Sequence, residues 1–200
     1  VNVGQDWYGY GWEIQLLETG FLAAFLCPLF DTRPFPRVPP PTAVIWLFRW
    51  LIVRIMLGAG LIKLRGDSCW RELTCHYYHY ETQPLPNPLS WWLHFRPHWF
   101  QKLGVMFNHV AELVAPWFVV WPRVARVGAG AVMLAFQLTL IVSGNLSFLN
   151  WLTIVPILAC FDDGFLRHLL PRRLVARAER AVAAAAPSRA QPVVSFALAA

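Results

Sequence analysis

Along the chain, long apolar runs alternate with short stretches dense in Pro, Gly, Arg or aromatic residues. Val1 to Trp12 sets Gly4, Gly9 and Gly11 among Trp7, Tyr8, Tyr10 and Trp12, a pattern suited to a surface loop at headgroup depth. Glu13 to Phe30 (EIQLLETGFLAAFLCPLF) is helical in character and reaches the low end of the ~17–25 residues that cross a bilayer. The connector DTRPFPRVPPP, Asp31 to Pro41, ends that helix, because proline lacks the N–H donor and clashes with the preceding turn. A second span is predicted over Thr42 to Ile62 and a third over Lys102 to Trp121. Val127 to Phe161 holds 35 residues without a charge and breaks at Ser143-Gly144-Asn145. It reads as two spans of ~17 residues joined by a tight turn, with one long span plus a re-entrant piece as the alternative.

Between the second and third spans the pattern changes. Gly58 to Ser90 is dense in polar and aromatic side chains, and Leu89 to Gln101 (LSWWLHFRPHWFQ) places Trp91, Trp92, Phe95, Trp99 and Phe100 beside His and Arg. Pro97 prevents one uninterrupted helix, so the segment is expected to lie in the interface, where aromatics with cationic neighbours are favoured. The predicted fold is therefore all-α: a polytopic transmembrane bundle of about five spans with an interfacial, aromatic-rich loop. Its membrane domain covers residues 1–163, with the loop at 63–101. Residues 164–200 form an Arg/Ala-rich tail expected to be disordered, being of low complexity.

Composition agrees with this class. Hydrophobic residues make up 57% and charged residues 14%, against about 25% charge in a soluble domain. The net charge of +6 raises nucleic acid as a partner, but the Arg residues are scattered between apolar runs instead of sharing one face with aromatics, which argues against it. They read as topology determinants, and membrane lipid is the partner expected around the apolar runs. In the five-span arrangement ten Lys and Arg fall in the 31–41 connector, the Pro122 to Arg126 turn and the tail, and five fall on the loop side. The positive-inside rule then makes the tail side cytoplasmic and turns the central loop to the lumen or exterior. Starting at Val1 without a charged leader, the chain reads as a piece of a longer protein.

Two further features follow from charge in apolar surroundings. Glu13 and Glu18 in the first span and Arg49 and Arg54 in the second fall at similar depths if the two helices are antiparallel neighbours. An intramembrane charge costs roughly 2.5–3.5 kcal/mol, so one or two buried pairs are expected. Residues five apart lie about 140° apart on a helix, so a single pair with snorkelling of the other charges is the alternative. In the third span His109 and Glu112 share a face.

Candidate chemistry is sparse. Cys69 and Cys75 are the cysteine pair on the side predicted to be oxidising, and their spacing permits a disulfide. Cys69, Cys75, His76 and His79 do not match the C-x₂₋₄-C and H-x₃₋₅-H pattern of structural zinc sites, so no metal is expected. No nucleophile elbow, phosphate loop or dinucleotide fingerprint is present, so neither catalytic residues nor a cofactor are expected. Arg65-Gly66-Asp67 reads as a turn bent at Gly66.

Five blocks resemble the lipase maturation factor family, multi-pass membrane proteins of the endoplasmic reticulum. They are WYGYGWEIQLLETGFLAAFLCPL at Trp7 to Leu29, GLIKLRGDSCWRELTC at Gly60 to Cys75, YHYETQPLPNPLSWWLH at Tyr78 to His94, NHVAELVAPWF at Asn108 to Phe118, and QLTLIVSGNLSFLNWLTIVPILACFDD at Gln137 to Asp163. The resemblance implies a non-enzymatic chaperone for secreted lipases such as lipoprotein lipase, with the loop presented to the lumen. Arg65, Asp67, Trp70, His76, Tyr77, His79, Tyr80 and Glu81 are then the candidate client-facing residues. The family's large C-terminal domain has no counterpart after Asp163, and the tail would also suit a bacterial relative in a plasma membrane. The same helical bundle looks distantly similar to vitamin K-dependent carboxylases. On that alternative the chain is a membrane enzyme with Lys63, His76, His79 and Glu81 at a water-filled pocket; a membrane module without a site is the third reading.

Overall fold

A computed structural model describes residues 11–26, 33, 35–83, 85 and 87–185. Every regular element among them is helical. The chain divides into two units, Arg49–Cys160 and the pair Val1–Phe48 with Phe161–Ala200.

Among the described residues ten helices follow one another: α1 Gly11–Ala24, α2 Thr42–Arg65, α3 Ser68–Arg71, α4 His76–His79, α5 Pro88–His94, α6 His98–Val120, α7 Arg123–Ser143, α8 Leu149–Cys160, α9 Asp163–Leu169 and α10 Arg172–Ala183. Three of them, α2, α6 and α7, are long and apolar enough to cross a membrane. The expected count of about five therefore exceeds what length supports among the described residues. α1 has 14 residues, about 21 Å at 1.5 Å per residue, against a ~30 Å hydrocarbon core, and residues 27–30 of the predicted first span lie outside those described. α8 is shorter still, because Gly144 to Phe148 is not helical. The break expected at Ser143-Gly144-Asn145 is where α7 ends, and the Pro97 break separates α5 from α6.

The helices of the unit Arg49–Cys160 expose large apolar side chains and bury several polar ones within an apolar core. Trp50, Ile62, Leu103, Met106, Trp117, Leu138, Val142 and Trp151 are exposed, while Gln101, Asn108, Glu112, Gln137, Asn150 and Thr153 are buried with Ile52, Met56, Val105, Met133 and Ile157. In water this arrangement would be unfavourable on both counts; in lipid it is the expected one, since polar groups gain partners only by facing the bundle. Thr153 Oγ1 accordingly donates to the Leu149 carbonyl at 2.8 Å, and Gln137 Nε2 lies 3.7 Å from Met56 Sδ.

α6 is not a uniform helix. It is α-helical over His98–His109, π-helical over Val110–Val114 and 3₁₀ over Ala115–Val120. Pro116 supplies the cause: it has no N–H and its ring collides with the carbonyl four residues back, so the ladder must change register before it. The Ala115 N–H bonds the Val110 carbonyl across that wider turn.

Two arginines inside apolar helices find partners at the end of α8. Arg49 Nε donates to the Ala159 carbonyl at 2.9 Å and Arg126 Nε to the Cys160 carbonyl at 3.1 Å. Cations suit a helix C-terminus, where carbonyls lack intrahelical donors. Arg49 lies near the start of α2 and Arg126 near the start of α7, so α8 returns the chain to that end of the unit.

At the other end the loop is fastened to the α7–α8 turn. Asn87 caps α5 by accepting from the Leu89 N–H at 2.9 Å and donates through Nδ2 to the Gly144 carbonyl at 3.1 Å. Ser90 Oγ donates to the Ser143 carbonyl.

In the other unit, α9 is capped by Asp162, whose carboxylate accepts from the Phe165 N–H at 2.9 Å. Arg167 and Glu179 approach to 3.3 Å. Within the tail over 164–200, expected to be disordered, α9 and α10 are helical as far as Ala183, with Leu170 and Pro171 between them. Low complexity misled here, because Ala and Arg are among the strongest helix formers; residues 186–200 lie outside those described.

Candidate functional site

The most densely bonded polar group in the unit Arg49–Cys160 sits where α2 and α6 cross. Gly60 permits the crossing: a Cβ there would lie 2.5 Å from Leu113 Cδ2 and 3.1 Å from Glu112 Cβ. Three residues on, Lys63 Nζ donates to Asn108 Oδ1 at 2.7 Å and to Glu112 Oε1 at 2.6 Å. Asn108 Nδ2 closes the triangle by donating to Glu112 Oε2 at 3.0 Å. Glu112 is only 4% exposed, so its charge is sustained by these bonds and not by water. The Lys63 ammonium also lies 4.9 Å from the Trp70 ring centroid, a cation–π distance.

Above this triangle the loop folds inward. Cys69 and Cys75 are disulfide-bonded, with Cα atoms 4.7 Å apart, and the Thr74 N–H bonds the Cys69 carbonyl at 2.8 Å. Leu73 between them takes a left-handed φ of 60°, which closes this short ring. Asp67 caps α3 by accepting from the Cys69 N–H at 2.9 Å. His109 Nε2 donates to the Trp70 carbonyl at 2.9 Å, tying α3 to α6. Gly104 gives α4 its seat, since a Cβ there would meet His76 Nδ1 at 2.5 Å.

These elements enclose a cavity of about 410 Å³. Its lining includes Lys63, Trp70, His76, His79 and Tyr80, the apolar Leu93, Phe100, Leu103, Phe107, Phe136 and Leu140, and the polar Asn108, Thr139 and Ser143. Burial lowers the His76 pKa to about 4, with the His79 and Lys63 charges acting in the same direction. Burial, then Lys63, lowers His79. Both imidazoles are neutral at pH 7, and burial raises the Tyr80 phenol, which keeps its proton. Gln83 Nε2 donates to His79 Nε2 at 3.2 Å.

The residues expected to face a client therefore separate into two sets. Trp70, His76, His79 and Tyr80 line the cavity, whereas Arg65, Asp67 and Glu81 are exposed. Tyr77 stacks on His98 at 4.2 Å, and Glu81 lies 3.6 Å from His94. Glu13 and Glu18 are half-buried on α1, and Arg54 is exposed on α2. Among the described residues no three His, Cys, Asp or Glu side chains are grouped closely enough to hold a metal. From the sequence, Lys63 stands at the edge of the loop and His109 shares a face with Glu112; in the structure Lys63 is the inner end of the triangle, the bonded neighbour of Glu112 is Asn108, four residues before it, and His109 reaches the Trp70 carbonyl instead. An Asn and a Glu at i, i+4 in an apolar helix were the available signal.

The family model of the lipase maturation factor transmembrane domain matches residues 1–168. The chain belongs to the lipase maturation factor family. It is 60% identical over 172 residues to lipase maturation factor 1 of Bos taurus and 58% to that of Homo sapiens, each time over 86% of this chain. Lipase maturation factor 2 of Gallus gallus is 38% identical over 166 residues, 81% of the chain. The chain spans 31%, 30% and 23% of those relatives' lengths, a third or less. No solved structure matches. The triangle, the disulfide and the cavity all lie inside the stretch shared with the family.

Proposed function

We propose that the chain forms the membrane-embedded part of a lipase maturation factor, lying in the endoplasmic reticulum membrane and assisting secreted lipases as they fold, without a reaction of its own. The observation that carries this reading is the 60% identity, over 86% of the chain, to a protein named for lipase maturation. Further support comes from the outer face of the loop. Tyr78, Trp91, Phe95 and Trp99 are each about 60–70% exposed, and Arg65, Asp67 and Glu81 of the same segment are exposed as well. Aromatic area with a polar rim suits a partly folded client, which itself exposes apolar surface. The Cys69–Cys75 disulfide suits a lumenal position. The proposal includes five crossings, with α1 and α8 joining the three long helices. The return of α8 to the Arg49 and Arg126 end supports the fifth.

A photo-crosslinking residue at Tyr78 or Phe95, with Leu138 on the apolar outer surface as control, tests the client face in microsomes synthesising a secreted lipase. Adducts to the lipase are expected from the two loop positions. Equal adducts from Leu138, or none from the loop, would overturn the assignment.

A further inference from the structure

The cavity between loop and helices is lined by none of Tyr78, Trp91, Phe95 and Trp99, the exposed aromatics of the client face. Its volume of about 410 Å³ lies at the low end of the ~300–1,000 Å³ of small-molecule sites. At roughly 30 Å³ per water-sized group it has room for about a dozen heavy atoms, enough for a small head and the first carbons of one chain, whose remainder lies outside it. We propose that it binds an uncharged amphiphile, a single hydrocarbon chain ending in hydroxyl or ester oxygens, with the oxygens against Lys63 and the chain among Phe107, Phe136 and Leu140.

The class follows from the polar wall. An ammonium carries three donors, and two of those on Lys63 are taken by Asn108 and Glu112. The third has the Trp70 ring, 4.9 Å away, as its neighbour, and because Lys63 lines the cavity an entering oxygen acceptor can take the place of that weaker contact. An anionic ligand gains little there, because Glu112 already balances the ammonium at 2.6 Å. Drawing Lys63 away would leave a buried carboxylate short of its partner. A cationic ligand would meet that same ammonium. His76 and His79 stay neutral at pH 7 and add no net charge. The remaining wall is mostly hydrocarbon and aromatic, with Thr139 and Ser143 its other polar members, and suits a chain that enters from the membrane.

The test uses the whole chain in nanodiscs and a monooleoylglycerol bearing a photoreactive diazirine on its chain. Labelling is expected on peptides carrying Phe107, Phe136 or Leu140. Unlabelled monooleoylglycerol should compete at least tenfold better than oleate, which has the same chain with a charged head. Leu140→Trp, filling the cavity, should cut labelling at least tenfold, and Lys63→Met should weaken competition about tenfold. The comparison of the two competitors needs no variant, so a misfolded substitution cannot leave the outcome open. Equal competition by oleate, or labelling confined to the outer face at Leu138 and Val142, would sink the proposal. No lipase enters the experiment, so its failure is distinct from failure of the client reading.

Discussion

Lys63→Met keeps the length of the side chain and removes its charge, leaving Glu112 buried beside Asn108 alone. Breaking a buried pair from one side costs about 3–5 kcal/mol, which for a chain of this size lowers the melting temperature by at least about 6 °C. Tryptophan fluorescence in detergent micelles checks this. Lys63→Met with Glu112→Leu should recover most of the loss, because no unpaired charge remains. His76 sets a second residue-scale expectation. Its folded pKa of about 4 lies below the ordinary value of 6.5, so the fold favours the neutral ring. That contribution is fully present above pH 6.5 and is lost as the pH falls from 6.5 through 4, amounting to about 3 kcal/mol. Melting temperature should drop over that window, and His76→Gln should flatten the drop. Identical slopes for the two proteins would show that the ring is not held neutral.

At the scale of elements the crossing of α2 and α6 decides whether the triangle can form. Gly60→Ala would push a methyl into Leu113, at the cost of about 1–3 kcal/mol typical of overpacking, and would move Lys63 away from Glu112. Leu113→Ala in the same chain should restore stability, since the colliding atoms are the end of that side chain. A pair that fails to compensate would place the strain elsewhere. The break at Ser143-Gly144, the stop at Pro97 and the long apolar runs were legible in the sequence, because composition and proline act locally. The triangle was not, because Lys63 and Glu112 are 49 residues apart and only the Gly60 crossing brings them together. The inward turn of Trp70, His76 and His79 was hidden for the same reason: it depends on Gly104 of α6 accepting a ring from α4.

For the whole molecule, the number of crossings fixes which compartment each surface meets, and the bonds at the two ends of the unit Arg49–Cys160 constrain it. Asn87 and Ser90 hold the loop to Gly144 and Ser143, so the loop and the α7–α8 turn share one end. Arg49 and Arg126 hold the last carbonyls of α8, so α8 ends where α2 and α7 begin. A helix of 12 residues reaches only about 18 Å, yet the non-helical residues Gly144 to Phe148 add length before it. Single cysteines introduced at Asp67, Arg123 and Asp163 and labelled with a membrane-impermeant maleimide in sealed microsomes separate the possibilities. Asp67 should be protected until the membrane is opened, while Arg123 and Asp163 should both react from outside. Reaction at Asp67 from outside would turn the aromatic face toward the cytosol and remove it from any secreted client. Protection of Asp163 with Arg123 reactive would make α8 re-entrant, reducing the bundle to an even number of crossings if α1 also spans.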